Sequence, residues 1–241
     1  MFTNGNPTNN LRLYRDTEGG DILDKTIDLL CVDPPYEFVS KNPKWWGFMK
    51  KENKKHLEEL NESFWMSYDP SEFLELIKSK MKLFNAYIWT NKTLVPRYIE
   101  FAEKNWYKRE ILLWLKSNPV PINNWHYLID KEYCIYIKES WATFNSDLWY
   151  KNYFTYETHP IGSRKYNHPT VKPLEMIERI IKISSNEWDT VLDCYLWSGT
   201  TAVACKKLKR NCIGIEINPE YVEIAKNRLK ELEQIEQQRL F

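Results

Sequence analysis

The chain has 241 residues, with 34 basic and 33 acidic side chains for a net charge of +1, 43% hydrophobic residues and eleven tryptophans. That length and apolar content exclude a disordered chain and let one large domain bury its core without disulfides or metals. The near-neutral balance excludes a uniformly basic coat, so any contact with nucleic acid must come from local patches.

In chain order, the polar start MFTNGNPTNN lacks an apolar signal core. Residues 27–32 (IDLLCV) form a continuous apolar run, as a buried parallel strand requires. Asp33-Pro34-Pro35-Tyr36 ends it, because two prolines forbid further ladder pairing. A helix is predicted over 71–82, announced by Asp69-Pro70-Ser71 and carrying Phe73, Leu74, Ile77 and Met81 at helical spacing. A strand at 86–89, a helix at 94–103 and a strand at 109–115 follow. The pattern then degrades: Asn118-Pro119-Val120-Pro121 interrupts it, 133–137 (YCIYI) resumes as a strand, and 141–166 reads as irregular and aromatic-rich. Regularity returns with a helix at 173–183, a strand at 190–192 ending at Asp193 and a helix at 200–208. A strand at 212–215 ending at Glu216 and a long helix over 219–237 complete the chain. This strand–helix rhythm predicts an α/β sheet with helices on both faces.

No apolar run reaches the ~20 residues of a membrane span. The five cysteines, Cys31, Cys134, Cys194, Cys205 and Cys212, include no CxxC pair. His56, His126, His159 and His168 show no ligand spacing, and His56-Leu57-Glu58 reads as part of a helix because no Pro-Cys-x-x-Cys follows it. The expectation is a soluble cytoplasmic protein with no metal and no membrane partner.

Two stretches carry chemistry. In the first, Ser198-Gly199-Thr200-Thr201 opens a helix directly after a strand, where unpaired N–H groups can hold an anionic group. Glu216 ends the next strand, seventeen positions after Gly199, where a carboxylate can accept both hydroxyls of a ribose. Asp193 can order the turn or meet a ligand ammonium. The plain alternative is an ordinary crossover with a capping Asp and a surface Glu. GxGxxG is absent, so a pyrophosphate is a poor fit. A ligand of ribose plus amino acid, such as S-adenosylmethionine, demands less of the loop.

In the second, Asp33-Pro34-Pro35-Tyr36 holds a carboxylate, backbone carbonyls and an aromatic ring in a rigid array. The exocyclic amine of a nucleobase needs such acceptors, because its lone pair is delocalised into the ring. Held hydrogens draw the nitrogen toward tetrahedral geometry, and Tyr36 can stack on the base. The alternative is a proline-stopped strand with a solvated Asp and a packed Tyr.

Together these motifs resemble the β-class amino-DNA methyltransferases, which modify adenine N6 or cytosine N4. His168-Pro169-Thr170-Val171-Lys172-Pro173 resembles the family's HPTxKP motif, residues 193–201 resemble DPFxGSGTT, and Glu216-Ile217-Asn218-Pro219 resembles the ribose-binding acid segment. The resemblance covers nearly the whole chain in the family's order: DPPY, recognition region at about 117–168, cofactor block. It implies a Rossmann-like, doubly wound, mostly parallel seven-strand sheet with one antiparallel strand, forming a single catalytic domain over 1–241.

As cofactor it implies S-adenosylmethionine, bound by His168, Thr170, Lys172, Asp193, Tyr195, Ser198, Gly199, Thr200, Thr201, Glu216 and Asn218. Asp33, Pro34, Pro35 and Tyr36 would hold a flipped base of double-stranded DNA. Methyl transfer would be direct, adenine being favoured over cytosine because the motif begins with Asp rather than Ser. The expected context is bacterial or phage restriction-modification. Rival readings are a cytosine-N4 enzyme, an RNA or amide methyltransferase, and a nucleic-acid-binding pseudoenzyme.

Trp197 stands where the family carries a glycine, so its indole must swing aside, reshape the cofactor pocket or obstruct it. Lys41, Lys44, Lys50, Lys51, Lys54 and Lys55, interleaved with Trp45 and Trp46, suit phosphate contact plus stacking, as do Arg164 and Lys165. The alternative for both is a solvated or core-packed loop. The terminal ELEQIEQQRLF reads as a solvated helix end, with a homodimer contact as the other reading.

Overall fold

The computed structural model describes residues 11–14, 22–34, 69–119, 127–128, 130–145, 151–157 and 171–238. Its strands are β1 (Leu11–Tyr14), β2 (Leu29–Val32), β3 (Asn85–Thr90), β4 (Lys108–Lys116), β5 (Lys131–Lys138), β6 (Tyr153–Tyr156), β7 (Thr190–Asp193) and β8 (Asn211–Ile215). Its helices are α1 (Pro70–Lys80), α2 (Val95–Lys104), α3 (Leu174–Ser184), α4 (Thr200–Lys207) and α5 (Pro219–Gln238). Helix α1 starts where the sequence places it for a local reason. The Asp69 side chain accepts hydrogen bonds from the backbone N–H groups of Ser71 at 2.7 Å and Glu72 at 3.2 Å, and Pro70 occupies the first turn.

The strands form one sheet in the order β1-β8-β7-β2-β3-β5-β4-β6. Only β5 is antiparallel, to both β3 and β4; the remaining described pairs are parallel. Alternation along the strands builds two cores. Leu29, Cys31, Tyr87, Trp89, Cys134 and Tyr136 pack with Met176, Ile177 and Ile180 of α3, Ala202 of α4, and Ala225 and Leu229 of α5. Their neighbours Leu30, Val32, Ala86, Ile88, Ile135 and Ile137 pack with Leu74 and Ile77 of α1 and Tyr98 and Phe101 of α2. Both faces are covered, which is why β2 and β3 read as unbroken apolar runs.

Two short strands depart from the sequence reading. β1 lies in the N-terminal segment, parallel to β8. β6 lies inside the stretch read as irregular and gives the sheet an eighth strand beyond the seven expected. Four residues carry too little periodicity to declare themselves; long-range contacts make β6 a strand. It pairs with 113–116 of β4, and the Trp114 indole N–H donates to the Tyr156 carbonyl at 3.1 Å. From α3, the Arg179 guanidinium lies 4.7 Å from the Phe154 ring centre and donates to the Lys151 carbonyl at 2.8 Å.

Between β2 and β7 the chain reverses its direction of travel across the sheet. The connection from β2 runs through α1 to β3 on one side, and that from β7 runs through α4 to β8 on the other. Such a switch point opens a crevice beyond the carboxyl ends of the two strands, where ligands of open α/β sheets bind. Asp33 and Asp193 stand at those two ends.

Candidate active site

The loop after β7 is shaped by backbone demands. Asp193, almost fully buried, accepts a hydrogen bond from the Tyr195 N–H at 3.1 Å. Gly199 caps α4 at φ +79°, where a Cβ would also lie 2.6 Å from the Cβ of Ala225 on α5. Both the left-handed conformation and the close α4–α5 approach therefore require glycine. Gly199→Ala is expected to cost about 1–3 kcal/mol through backbone strain and overpacking. Thermal unfolding checks this; an unchanged melting temperature would mean that α4 and α5 separate freely.

Glu216 at the end of β8 binds this loop from the side. Its Oε2 accepts from the Trp197 N–H at 2.8 Å, and its Oε1 accepts from the Asn218 N–H at 2.9 Å. The carboxylate retains acceptor capacity for a ligand hydroxyl beyond these backbone contacts. The Asn218 side chain caps α5 by accepting from the Glu220 N–H at 2.9 Å. Arg228 of α5, which sequence reasoning missed, donates to the Ser198 carbonyl at 2.6 Å, the Ser198 hydroxyl at 3.2 Å and the Thr200 hydroxyl at 3.1 Å. Its signal was a guanidinium on the face of α5 that carries Ala225 and Leu229.

Asp193 is electrostatically unusual. Burial, aided by the carboxylates of Asp33 and Glu216, raises its pKa from 3.8 to about 7. Between those values the folded protein keeps a proton that the unfolded chain has released, so the group lowers stability as pH rises through that window. Asp193→Asn is therefore expected to flatten the pH dependence between about 4 and 7 and to stabilise the ligand-free protein at neutral pH by a few kcal/mol. Urea unfolding of both forms at several pH values tests this, and parallel curves would refute it. A ligand ammonium beside Asp193 would favour the ionised form instead.

At the end of β2, Asp33 meets Lys172, whose Nζ lies 2.5 Å from Oδ2. The same ammonium lies 3.2 Å from Glu132 of β5 and 5.3 Å from the Trp89 ring centre. Lys172, which the resemblance assigns to the cofactor, thus packs against the strand-end carboxylate. Asp33 Oδ1 is buried and takes no hydrogen bond from the described residues. Burial raises the Asp33 pKa, opposed chiefly by Lys172.

Trp197 takes φ +48°, and its indole N–H reaches across to donate to the Asp33 backbone carbonyl at 2.9 Å. The indole therefore does not swing aside; it spans the two strand ends. Asp33, Trp89, Lys172, Asp193, Tyr195, Trp197, Ser198, Thr200 and Thr201 line one cleft. Cys31 also lines it, but burial holds its thiol far above the ordinary range, in the protonated and unreactive form. Pro34 is buried. Pro35, Tyr36, His168 and Thr170 lie outside the described residues, as do Lys41, Lys44, Trp45, Trp46, Lys50, Lys51, Lys54, Lys55, Arg164 and Lys165.

The donor set fits S-adenosylmethionine: a buried acid for an ammonium, a second acid for a ribose, and a helix N-terminus for a carboxylate. Among the described residues no group of His, Cys, Asp or Glu could hold a metal ion, and no helix is long and apolar enough to cross a membrane.

A crevice with acids at the ends of three adjacent parallel strands, on a doubly wound sheet, is the architecture of the Rossmann-like α/β proteins that bind ligands at the switch point. Residues 27–227 match the N6/N4 methyltransferase model, described as DNA methylase, and the chain belongs to that family. The chain is 55% identical over 69 residues to the type II methyltransferase M1.MboII of Moraxella bovis. That match covers 29% of this chain and about a quarter (26%) of the relative. With M2.DpnII of Streptococcus pneumoniae it shares 27% identity over 240 residues, covering 86% of this chain and 83% of the relative. The crystal structure of the M1.HpyAVI–SAM complex superposes with a TM-score of 0.62 at 28% identity, covering 91% of this chain and 98% of that one.

Proposed function

We propose that this chain transfers a methyl group from S-adenosylmethionine to the exocyclic amine of a DNA base, adenine N6. The observation that carries the reading is the buried, unpartnered Oδ1 of Asp33 at the switch point, in a cleft lined by Asp193 and the start of α4, with Glu216 bound to the adjoining loop through the Trp197 N–H. A buried acceptor without a donor costs about 1–3 kcal/mol, a cost that an amine hydrogen would remove.

Bound S-adenosylmethionine supplies an electrophilic methyl group on its sulfonium. Asp193 holds the ammonium, Glu216 the ribose, and the N-terminus of α4, set by Gly199, the carboxylate. Asp33 and the Pro34 carbonyl accept the two amine hydrogens, so the nitrogen lone pair is released toward the methyl group. As the new N–C bond formed, the methyl C–S bond of the sulfonium would break with its electron pair leaving on sulfur as a neutral thioether, the nitrogen would shed one proton toward Asp33, and no cysteine adduct would be needed. Tyr36 stacks on the flipped base. The lysine–tryptophan segment at 41–55, with Arg164 and Lys165, holds phosphates, and the region at about 117–168 reads the sequence. The chain acts on double-stranded DNA as one catalytic domain in the cytoplasm; the five free thiols suit a reducing compartment.

Adenine is favoured because the strand-end motif begins with Asp. Incubation with mixed-sequence DNA and labelled cofactor, followed by nucleoside analysis, is expected to yield N6-methyl-2′-deoxyadenosine. Label in N4-methyl-2′-deoxycytidine would reassign the base, and no label would sink the reading. The indole across the cleft supports a second reading, a DNA-binding protein with impaired cofactor binding, which calorimetric titration with S-adenosylmethionine separates from the first.

A further inference from the structure

Four charged side chains of alternating sign converge on the carboxyl edge of the sheet from four different segments. Lys116 at the end of β4 lies 2.8 Å from Glu132 at the start of β5. Glu132 lies 3.2 Å from Lys172, just ahead of α3, and Lys172 lies 2.5 Å from Asp33 beyond β2. None of their side chains is more than 21% exposed, so solvent screens these contacts little. Aromatic rings support both cations: Lys116 lies 5.4 Å from the Trp114 ring centre and Lys172 5.3 Å from that of Trp89.

The geometry divides the two oxygens of Asp33. Oδ2 is held by Lys172, whereas Oδ1 is left without a hydrogen bond. We propose that Glu132 is a positioning residue of the site: braced by Lys116, it fixes the Lys172 ammonium so that Lys172 orients Asp33 through Oδ2 and leaves Oδ1 for the substrate amine. This rests on the methyl-transfer reading given above. Without Glu132, the ammonium loses the anion that draws it away from Asp33, shifts toward bridging both Asp33 oxygens and competes with the amine for Oδ1. Glu132 touches neither substrate nor cofactor in this arrangement.

Charge supplies a readout that a merely structural role would not move. The groups bearing on Asp33 are Lys172, Glu132, Lys116, Cys134 of β5 and Asp193 of β7. Lys172 favours the ionised carboxylate and Glu132 opposes it. The two substitutions Lys172→Met and Glu132→Gln should therefore move the Asp33 titration in opposite directions.

The test is carboxyl carbon NMR on protein labelled at aspartate, with the Asp33 signal assigned by its loss in Asp33→Asn. Lys172→Met is expected to raise the Asp33 midpoint by about one pH unit or more, the scale of one close charge, and Glu132→Gln to lower it. Lys172→Arg restores the parent midpoint if Lys172→Met folds poorly. In the methyl-transfer assay, Glu132→Gln should lower kcat about tenfold, the scale of one misplaced charge-assisted hydrogen bond. The KM for S-adenosylmethionine should stay within about twofold, because Glu132 pairs with Lys172 and Lys116 and not with Asp193, Glu216 or the N-terminus of α4, which hold the cofactor in this reading.

An Asp33 midpoint that moves with neither substitution overturns the positioning role. So does an unchanged kcat in Glu132→Gln. Opposite shifts in a chain that methylates no DNA would instead leave the network standing and overturn the functional reading.

Discussion

Asp33→Ala is expected to lower methyl transfer by about 10²–10⁴-fold, the range for removing a positioned acid–base group, while leaving the fold and cofactor affinity near those of the parent. The physical argument is local. Asp33 follows β2 beside a carbonyl locked by proline, and its Oδ1 is the buried acceptor waiting for a donor. Removing the carboxylate does not strand its partner, because Lys172 keeps Glu132 at 3.2 Å. Burial also opposes ionisation of Asp33, so its loss relieves a desolvation cost. Single-turnover methylation, calorimetry with S-adenosylmethionine and thermal unfolding are the measurements. Turnover within a few fold of the parent would remove Asp33 from the mechanism, whereas lost cofactor affinity would assign it to the other half of the site.

Trp197→Gly is expected to tighten S-adenosylmethionine binding at least about tenfold, or 1.4 kcal/mol. The indole spans the β7 loop and the end of β2, across the cleft that Asp193 and Asp33 line. For the ligand to enter, its hydrogen bond to the Asp33 carbonyl must break, a net cost of about 0.5–1.5 kcal/mol. Desolvating and relocating a large aromatic side chain adds to that. Glycine also suits φ +48° without the left-handed penalty of about 1–2 kcal/mol that other residues carry. That gain offsets the packing lost against Tyr221, whose ring centre lies 5.9 Å from that of Trp197, so fold stability should change less than affinity. Calorimetric titration of both forms decides the matter. Equal affinities would mean that the indole is a wall of the bound pocket rather than an obstacle, and the pseudoenzyme reading would fall with it.

Much of the α/β architecture was legible because local signals agreed with it. Asp69-Pro70 starts α1, the apolar runs of β2 and β3 match strands buried on both faces, and the apolar spacing of α3 matches its buried Met176, Ile177, Ile180 and Ile181. β6 escaped because its four residues acquire strand geometry from β4 and α3 rather than from their own periodicity. Gly199 was legible as a special position, but the approach of Ala225, which forbids any side chain there, was not.

The residues of the site divide in the same way. The sequence by itself determined which groups stand at strand ends, because a strand must stop where Pro34 and Pro35 remove its donors, and a helix must open where glycine turns the chain. That places Asp33, Asp193 and Glu216 at one edge of any parallel sheet, whatever the strand order. Only the tertiary structure decided their neighbours. The antiparallel course of β5 carries Glu132, at its beginning, to the edge where the parallel strands end, opposite Trp114 and next to Lys116. No local pattern encodes that encounter, since it depends on the direction of one strand within the sheet. Nor could the sequence decide between an indole turned away and one turned across the cleft. That outcome depends on tertiary contacts, among them the Asp33 carbonyl, which the pairing of β2 with β7 brings within 2.9 Å of the Trp197 indole nitrogen, and the ring of Tyr221.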